Sequence, residues 1–381
     1  LILELSSSII QTSEHQKEED RKVIARLAGL LKVLHGKKGV LVDTLQYDVI
    51  GGLALDALAL VPVYRAGLTK RKGKPVVFFS GNSANPALVE MISRELPVFT
   101  DDSFPRLFSY TTYDWASTEF KLDSSFSKDF FGRHAELFKD VVEFTHSTNG
   151  RSYCASLDEF GRITALDQPT VSFSLEEEEK GGCFLRNVLG LPDEGWFVCV
   201  YARDAAYYNE TPQSPNWFRN SDICTFRPAI EQILARGGYV VRIGEKTDQA
   251  LHHPDSRFFD YSNSEFRDPF LDIYLLANCR FMLGTPSGLC HVANIFKTPQ
   301  LLVNSVSIGT VSSCNLYLPK IIRDACTNQI IPFARFMELY YGYGDTGLFA
   351  ENGINQEKLL GVRYEDNSPE DIASAVLEMM N

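Results

Sequence analysis

The sequence predicts an α/β protein built on doubly wound parallel sheets. Three observations carry that prediction. Short apolar runs of four to six residues recur along the chain, as in Gly39-Val40-Leu41-Val42, Phe197-Val198-Cys199-Val200-Tyr201 and Gln300-Leu301-Leu302-Val303, the pattern of strands buried on both faces. A glycine or polar turn and then a helical stretch follow most of them. The composition is that of a folded globular chain, with 381 residues, 44% hydrophobic and 23% charged. That length fits two domains on the ~150-residue prior. No run approaches the ~18 consecutive apolar residues of a membrane-spanning helix.

Taken in order, residues 14–35 place Ile24, Leu27, Leu31 and Leu34 on one helical face behind an acidic start, and Gly36 stops that helix. Residues 39–42 and 75–79 read as strands. Helices are expected from Leu53 to Leu60 and through Leu88 and Met91. Residues 103–170 have weak periodicity, with one helix expected near 133–143. Glu176-Glu177-Glu178-Glu179 reads as the solvated first turn of a helix capped by Ser174, because carboxylates suit a helix N-terminus. The domain boundary is placed near residue 170, giving domains 1–170 and 171–381. Beyond it, strands are expected at 197–201, 239–244, 257–261, 281–283 and 300–303. The intervening helices are capped by Thr225, started by Asp268-Pro269, and run from the Gly288 region to Phe296. Ser368, Pro369 and Asp371 form a cap before a last helix carrying Ile372, Ala375, Val376 and Met379.

Lys and Arg total 37 against 49 Asp and Glu, a net charge of −12, which repels phosphate backbones and argues against nucleic acid as a partner. Eight cysteines lie between Cys154 and Cys326, none spaced C-x-x-C. They read as reduced thiols of a cytoplasmic protein. There is no D-x-D, H-E-x-x-H, G-x-S-x-G or P-loop pattern. Gly342-Tyr343-Gly344-Asp345-Thr346-Gly347 fits G-x-G-x-x-G literally but opens no apolar helix. Asn209-Glu210-Thr211 is a sequon without consequence in such a compartment, and His252-His253 lacks a metal-ligand pattern.

The strongest chemical signal is Gly284-Thr285-Pro286-Ser287-Gly288-Leu289, which joins a strand to a helix. Backbone N–H groups and the helix dipole bind phosphate at such a junction, although a plain strand-to-helix turn needs the same residues. Arg203 and Arg242 end predicted strands, at the edge where open α/β sheets bind ligands. Either a bound diphosphate or surface ion pairs would account for them. Asp268 reads as a helix cap, and Lys320 as an isolated cation.

The segments Phe197–Asp204, Arg219-Asn220-Ser221-Asp222-Ile223, Arg236–Gly244, Asp272–Arg280 and Gly284–Leu289 together resemble a family of bacterial glycosyltransferases associated with surface polysaccharides. A thinner N-terminal likeness rests on Ile50–Asp56 and Asn85-Pro86-Ala87-Leu88. The segment Gly284–His291 is also similar to the donor-site turn of bacterial heptosyltransferases. Pro286 stands there in place of an acidic residue, so the backbone role is what carries over. Gly52 stands where the family pattern has His.

The resemblance implies a GT-B-like architecture, two Rossmann-type domains facing a cleft. It also implies a glycosyltransferase that moves a sugar from a nucleotide-sugar donor to a glycan or lipid-linked hydroxyl acceptor, and the missing D-x-D makes metal-independent transfer the expectation. No cofactor is implied beyond that donor, and membrane association would be peripheral at most. Arg203, Arg242, Gly244, Gly284, Thr285, Ser287, Gly288, Leu289 and Lys320 would hold the donor. A carboxylate of the first domain would deprotonate the acceptor, with Asp48 ranked before Asp43 and Asp56 because all three flank the first strand. A sugar-nucleotide epimerase on the same fold and a non-catalytic nucleotide-sugar-binding subunit are the alternatives.

Overall fold

A computed structural model describes residues 40–45, 49–68, 76–80, 83–100, 142–144, 156–165, 168–214, 217–306, 315–342 and 356–381. The expected helix over 14–35, Asp48, and all of the Gly342–Gly347 pattern except Gly342 lie outside these residues. The chain divides into two compact units near residue 166.

The first unit contains β1 (Val40–Thr44), α1 (Ile50–Arg65), β2 (Val76–Ser80), α2 (Pro86–Ser93), β3 (Val98–Thr100), β4 (Val142–Phe144) and α3 (Leu157–Thr164). Its strands form one parallel sheet in the order β3-β2-β1-β4, with Leu41 opposite Val76 and Val40 opposite Val142. The sheet therefore switches direction beside β1. α1 is longer than expected at both ends. It takes in Gly51 and Gly52, which read as loop, and passes through Pro62, with Leu53, Ala57, Leu60, Val61 and Val63 buried. Burial of that apolar face outweighs the glycines' low helix propensity. α2 runs through Leu88 and Met91 as expected and starts at Pro86, with Asn85 Oδ1 accepting from Leu88 N at 2.9 Å. The helix expected over 133–143 is corrected at its described end, where residues 142 and 143 belong to β4.

The second unit opens with α4 (Leu175–Asn187), where Ser174 and Glu177 cap each other reciprocally. Six strands follow: β5 (Phe197–Tyr201), β6 (Tyr239–Arg242), β7 (Phe258–Asp260), β8 (Phe281–Gly284), β9 (Gln300–Ser305) and β10 (Asn315–Pro319). They lie in the order β10-β9-β8-β5-β6-β7, and every pair is parallel. Helices α5 (Arg227–Ala235), α6 (Pro269–Asn278) and α7 (Gly288–Ile295) connect them. Counting from β5, this is the doubly wound strand order with its switch point between the first and fourth strands.

The sixth strand was missed in the sequence because it pairs on one side only, shifts register between Tyr317 and Pro319, and ends on a proline suited to an edge. The start of α5 is also corrected. Asp222 caps a 3₁₀ turn over Ile223–Phe226, its side chain accepting from Cys224 N, and α5 follows directly, so Thr225 is not its cap.

Beyond the sheet lie α8 (Phe333–Gly342), α9 (Gln356–Leu360) and a small antiparallel ribbon of β11 (Ile321–Asp324) with β12 (Val362–Glu365). The final helix α10 (Pro369–Met380) packs on α5 and on β9 and β10. Among the described residues, no helix is long and apolar enough to cross a membrane.

Candidate functional site

The doubly wound order brings the carboxyl ends of β5 and β8 side by side, and the sequence of each explains how they meet. Residue 284 has little room: a Cβ there would lie 2.8 Å from the tip of the Met282 side chain and 3.2 Å from the Tyr201 carbonyl. Thr285, fully buried, then ties the two strand ends together. Its N–H donates to Tyr201 O at 3.2 Å, and its Oγ1 accepts from Arg203 N at 2.8 Å. Pro286 and Ser287 carry the chain into α7. The first N–H groups of a helix have no intrahelical partner, and Ser287 precedes them here in a reciprocal cap with Cys290. The Ser287 N–H itself donates to Cys290 Sγ at 3.4 Å.

Two arginines approach this turn and are differently engaged. Arg203 is buried and forms a two-pronged ion pair with Glu210, at 2.6 and 3.0 Å, and also donates to Asn220 Oδ1. Their side chains are 6% and 8% exposed. Burial alone would raise the Glu210 pKa, but the bonds and charge of Arg203 outweigh it and hold the carboxyl low. Arg219 instead donates to Pro286 O at 3.3 Å, and among the described residues no carboxylate pairs with it. Burial first, and the neighbouring Arg203 charge second, push its pKa down, yet a guanidinium stays protonated at neutral pH. One carboxylate thus faces two guanidinium groups, leaving a net positive charge that the amino end of α7 reinforces.

His291, on the second turn of α7, lies in the same field. Burial and the Arg219 charge lower its pKa to about 4, so its ring is neutral near pH 7. Arg219 and His291 lie within the motifs that carry the family resemblance, where nothing in the sequence distinguishes them from their neighbours. The sequence shows that Arg219 is basic, but not that Glu210, hidden in a sequon, has already claimed its neighbour.

The other expected donor residues separate. Gly244 lies in the loop after β6 with φ 149°, and its carbonyl accepts from Arg267 Nε at 3.2 Å. Gly284, Thr285, Ser287, Gly288 and Leu289 form the switch-point turn. Arg203, Arg242 and Lys320 each have a carboxylate beside them in the structure. Arg242 pairs with Asp260 at 3.1 Å and donates to Gln249 O at 2.6 Å. Lys320 pairs with Asp366 at 2.5 Å and donates to Asn220 O at 3.1 Å. Asp268 caps α6 as expected, accepting from Phe270 N and Leu271 N. In the first unit, Asp43 lies on β1 opposite Phe78. Asp56 is 3% exposed on the second turn of α1, rather than at the strand edge.

Together these features define a doubly wound α/β protein with a buried threonine turn and a buried arginine at its switch point. Among solved structures, the chain is similar to the glycosyl transferase family 9 protein from Veillonella parvula, with 13% identity over 90% of this chain and 97% of that one, at a TM-score of 0.50. It also matches E. coli ADP-heptose LPS heptosyltransferase II, with 13% identity over 90% and 100% of the two chains at a TM-score of 0.45. A third match is TibC from enterotoxigenic E. coli, with 11% identity over 90% and 76% at 0.41. The first likeness places the fold among those of glycosyltransferases. No protein-family model and no curated protein sequence matches the chain.

Proposed function

We propose that this protein is a glycosyltransferase of GT-B type, moving a sugar from a nucleotide-activated donor to a hydroxyl acceptor. The observation that carries the reading is the place of Arg219, a cation with no carboxylate partner among the described residues, beside the α7 turn, where it donates to Pro286 O. A donor diphosphate needs such a set of fixed donors. As the sugar–phosphate bond breaks, charge grows on the leaving oxygen. Preorganised dipoles and a guanidinium stabilise that charge without a metal ion. His291, neutral at working pH, adds a hydrogen-bonding ring without adding charge. The acceptor proton would pass to a carboxylate of the first unit, Asp48 ranked before Asp43 and Asp56. The fold shared with a family 9 glycosyl transferase supports the same reading.

The test is calorimetric titration of nucleoside diphosphates into wild type and Arg219→Ala, followed by product analysis in excess chelator. Removing a charge-assisted hydrogen bond worth ~1.5–3 kcal/mol should weaken binding roughly 10- to 150-fold. Transfer of sugar to an added acceptor should continue without divalent metal. Equal affinity in the two proteins removes Arg219 from the site. Release of an isomerised free nucleotide sugar would replace the transferase with an epimerase.

A further inference from the structure

The loop that leaves β5 carries two adjacent aromatic residues, Tyr207 and Tyr208, on a tight turn. The Glu210 N–H donates to Ala205 O at 3.0 Å, and Asn209 takes φ 50°, a left-handed conformation that asparagine adopts more readily than most side chains. The turn is fixed from both sides. On one, the Ala205 N–H donates to Asp248 Oδ2 at 3.2 Å and the Asp248 N–H to Asp204 Oδ2 at 2.9 Å. On the other, Glu210 takes the two-pronged bond from Arg203 and accepts from Asn220 Nδ2 at 3.0 Å. The two rings meet edge to face with centroids 4.7 Å apart. Tyr208 nevertheless stays 57% exposed.

A single exposed aromatic residue needs no explanation by itself. What sets Tyr208 apart is its connection to the switch-point turn. The Arg203 guanidinium lies 5.7 Å from its ring centroid, within cation–π range, and the Arg203 N–H is held by Thr285 Oγ1, the hydroxyl at the start of the turn. Arg219, on Pro286 O, is coupled to the same tyrosine. Burial first and the Arg203 charge second lower its pKa, while Tyr201, Tyr208 and Glu210 raise it. Lys246 lies over the companion ring, 5.8 Å from the Tyr207 centroid. A rigidly held, solvent-facing aromatic ring therefore stands beside fixed cations and the amino end of α7. Aromatic rings that stack bases, set among cations that meet phosphates, are how nucleotides are held without reading their sequence. A lipid tail would need a broad apolar patch, whereas this ring is bordered by Arg203, Asp204 and Glu210. The group that suits it is flat, with a polar edge.

We infer that the Tyr208 ring is the stacking surface for the nucleobase of the donor, whose diphosphate lies on the α7 turn beside Arg219. The inference rests on the nucleotide-sugar reading above and adds to it the residue that holds the base.

The experiment titrates ADP, UDP and pyrophosphate into the full chain by calorimetry, in wild type and in Tyr208→Ala, Tyr208→Leu and Tyr208→Phe, with a melt of each free protein. Whichever of ADP and UDP binds wild type more tightly should lose about 5- to 150-fold in Tyr208→Ala, the size of one base–aromatic stack. Tyr208→Leu should lose nearly as much, because it keeps apolar bulk without a π-face, and Tyr208→Phe should keep most of the affinity. Pyrophosphate should bind all four proteins alike, and the melting temperatures should match, since the ring is exposed. Unchanged nucleotide affinity in Tyr208→Ala would place the base elsewhere and overturn the inference while leaving the nucleotide reading intact. An equal loss for pyrophosphate, or a loss in Tyr208→Phe as large as in Tyr208→Ala, would make the tyrosine a phosphate or hydroxyl contact and overturn it too. Wild type that binds none of the three would remove the nucleotide reading and this inference together.

Discussion

Arg203 and Arg219 show how a residue's charge state depends on what its neighbours have already taken. Arg203 is closed within a buried pair, so Arg203→Ala strands Glu210 without its cation. Breaking one partner of a buried pair costs about 3–5 kcal/mol, and the expected result is a clear fall in the melting temperature of the ligand-free protein. A calorimetric melt unchanged by Arg203→Ala would contradict that placement. Asp272 and His291 make a second residue-scale case. Burial, opposed by Arg267, raises the Asp272 carboxyl from 3.8 to about 6, so the folded state holds a proton that the unfolded state has lost. Stability from this group is therefore present at acid pH and is lost as pH rises between about 4 and 6, by about 3 kcal/mol. His291 runs the other way. Its folded pKa of about 4 lies below the ordinary 6.5, so its contribution grows as pH rises through 4 to 6.5. The two oppose each other across one window. Asp272→Asn should steepen the rise of stability with pH in that range, and His291→Gln should turn it into a fall. Urea melts at pH 4, 5 and 6.5 that keep the wild-type slope in both variants would refute the pair.

At the scale of elements, helix α4 carries a prediction that runs against simple propensity. Gly181 lies in its interior, where alanine is ordinarily better by ~0.5–1 kcal/mol. Here a Cβ would fall 2.3 Å from the Tyr274 ring of α6. That ring is held by its hydroxyl on Glu178, at 3.2 Å, and by its packing on Phe173. Overpacking of this kind costs ~1–3 kcal/mol, so Gly181→Ala should lower the melting temperature, and a rise would mean the ring moves freely. The sequence made most such elements readable, because a period and a cap are local properties. Ser174 with Glu177, Asp268 before Pro269, and Ser368 before Pro369 all cap the helices they precede. The misses have physical reasons. β10 is an irregular edge, β11 and β12 are four-residue strands that pair with each other across some forty residues of chain, and α1 is held by tertiary burial through glycines and a proline. The turn at Gly284–Leu289 was readable as a strand-to-helix junction because its backbone course follows from its own residues. The ion pairs around it were not, since Glu210, Asp260 and Asp366 reach Arg203, Arg242 and Lys320 from elsewhere in the fold.

Across the whole molecule, a chain of net charge −12 holds its proposed anion site at a switch point where three segments far apart in sequence must stay in register. Their mutual position depends on the sheet, and the sheet's β9–β10 side is covered by α10. Ile372 and Val376 of that helix are fully buried and Met380 is 8% exposed, all in one apolar cluster with Ile230 and Ile233 of α5 and with Leu301 and Val303 of β9. Arg280 secures the end of the helix by donating to Met380 O at 3.0 Å while its guanidinium lies over Trp196. Truncating one such side chain removes its transfer energy and leaves a cavity. Ile372→Ala should accordingly cost ~2–5 kcal/mol, a fall in melting temperature of roughly 4–20 °C at the slopes of a unit this size. α10 contributes no residue to the Gly284–Leu289 turn. Nucleoside diphosphate affinity measured well below the melt should therefore match wild type, and only the stability should move. A variant that melts normally would show that α10 is not part of the core. One that melts normally but loses affinity would instead tie the last helix directly to the ligand turn.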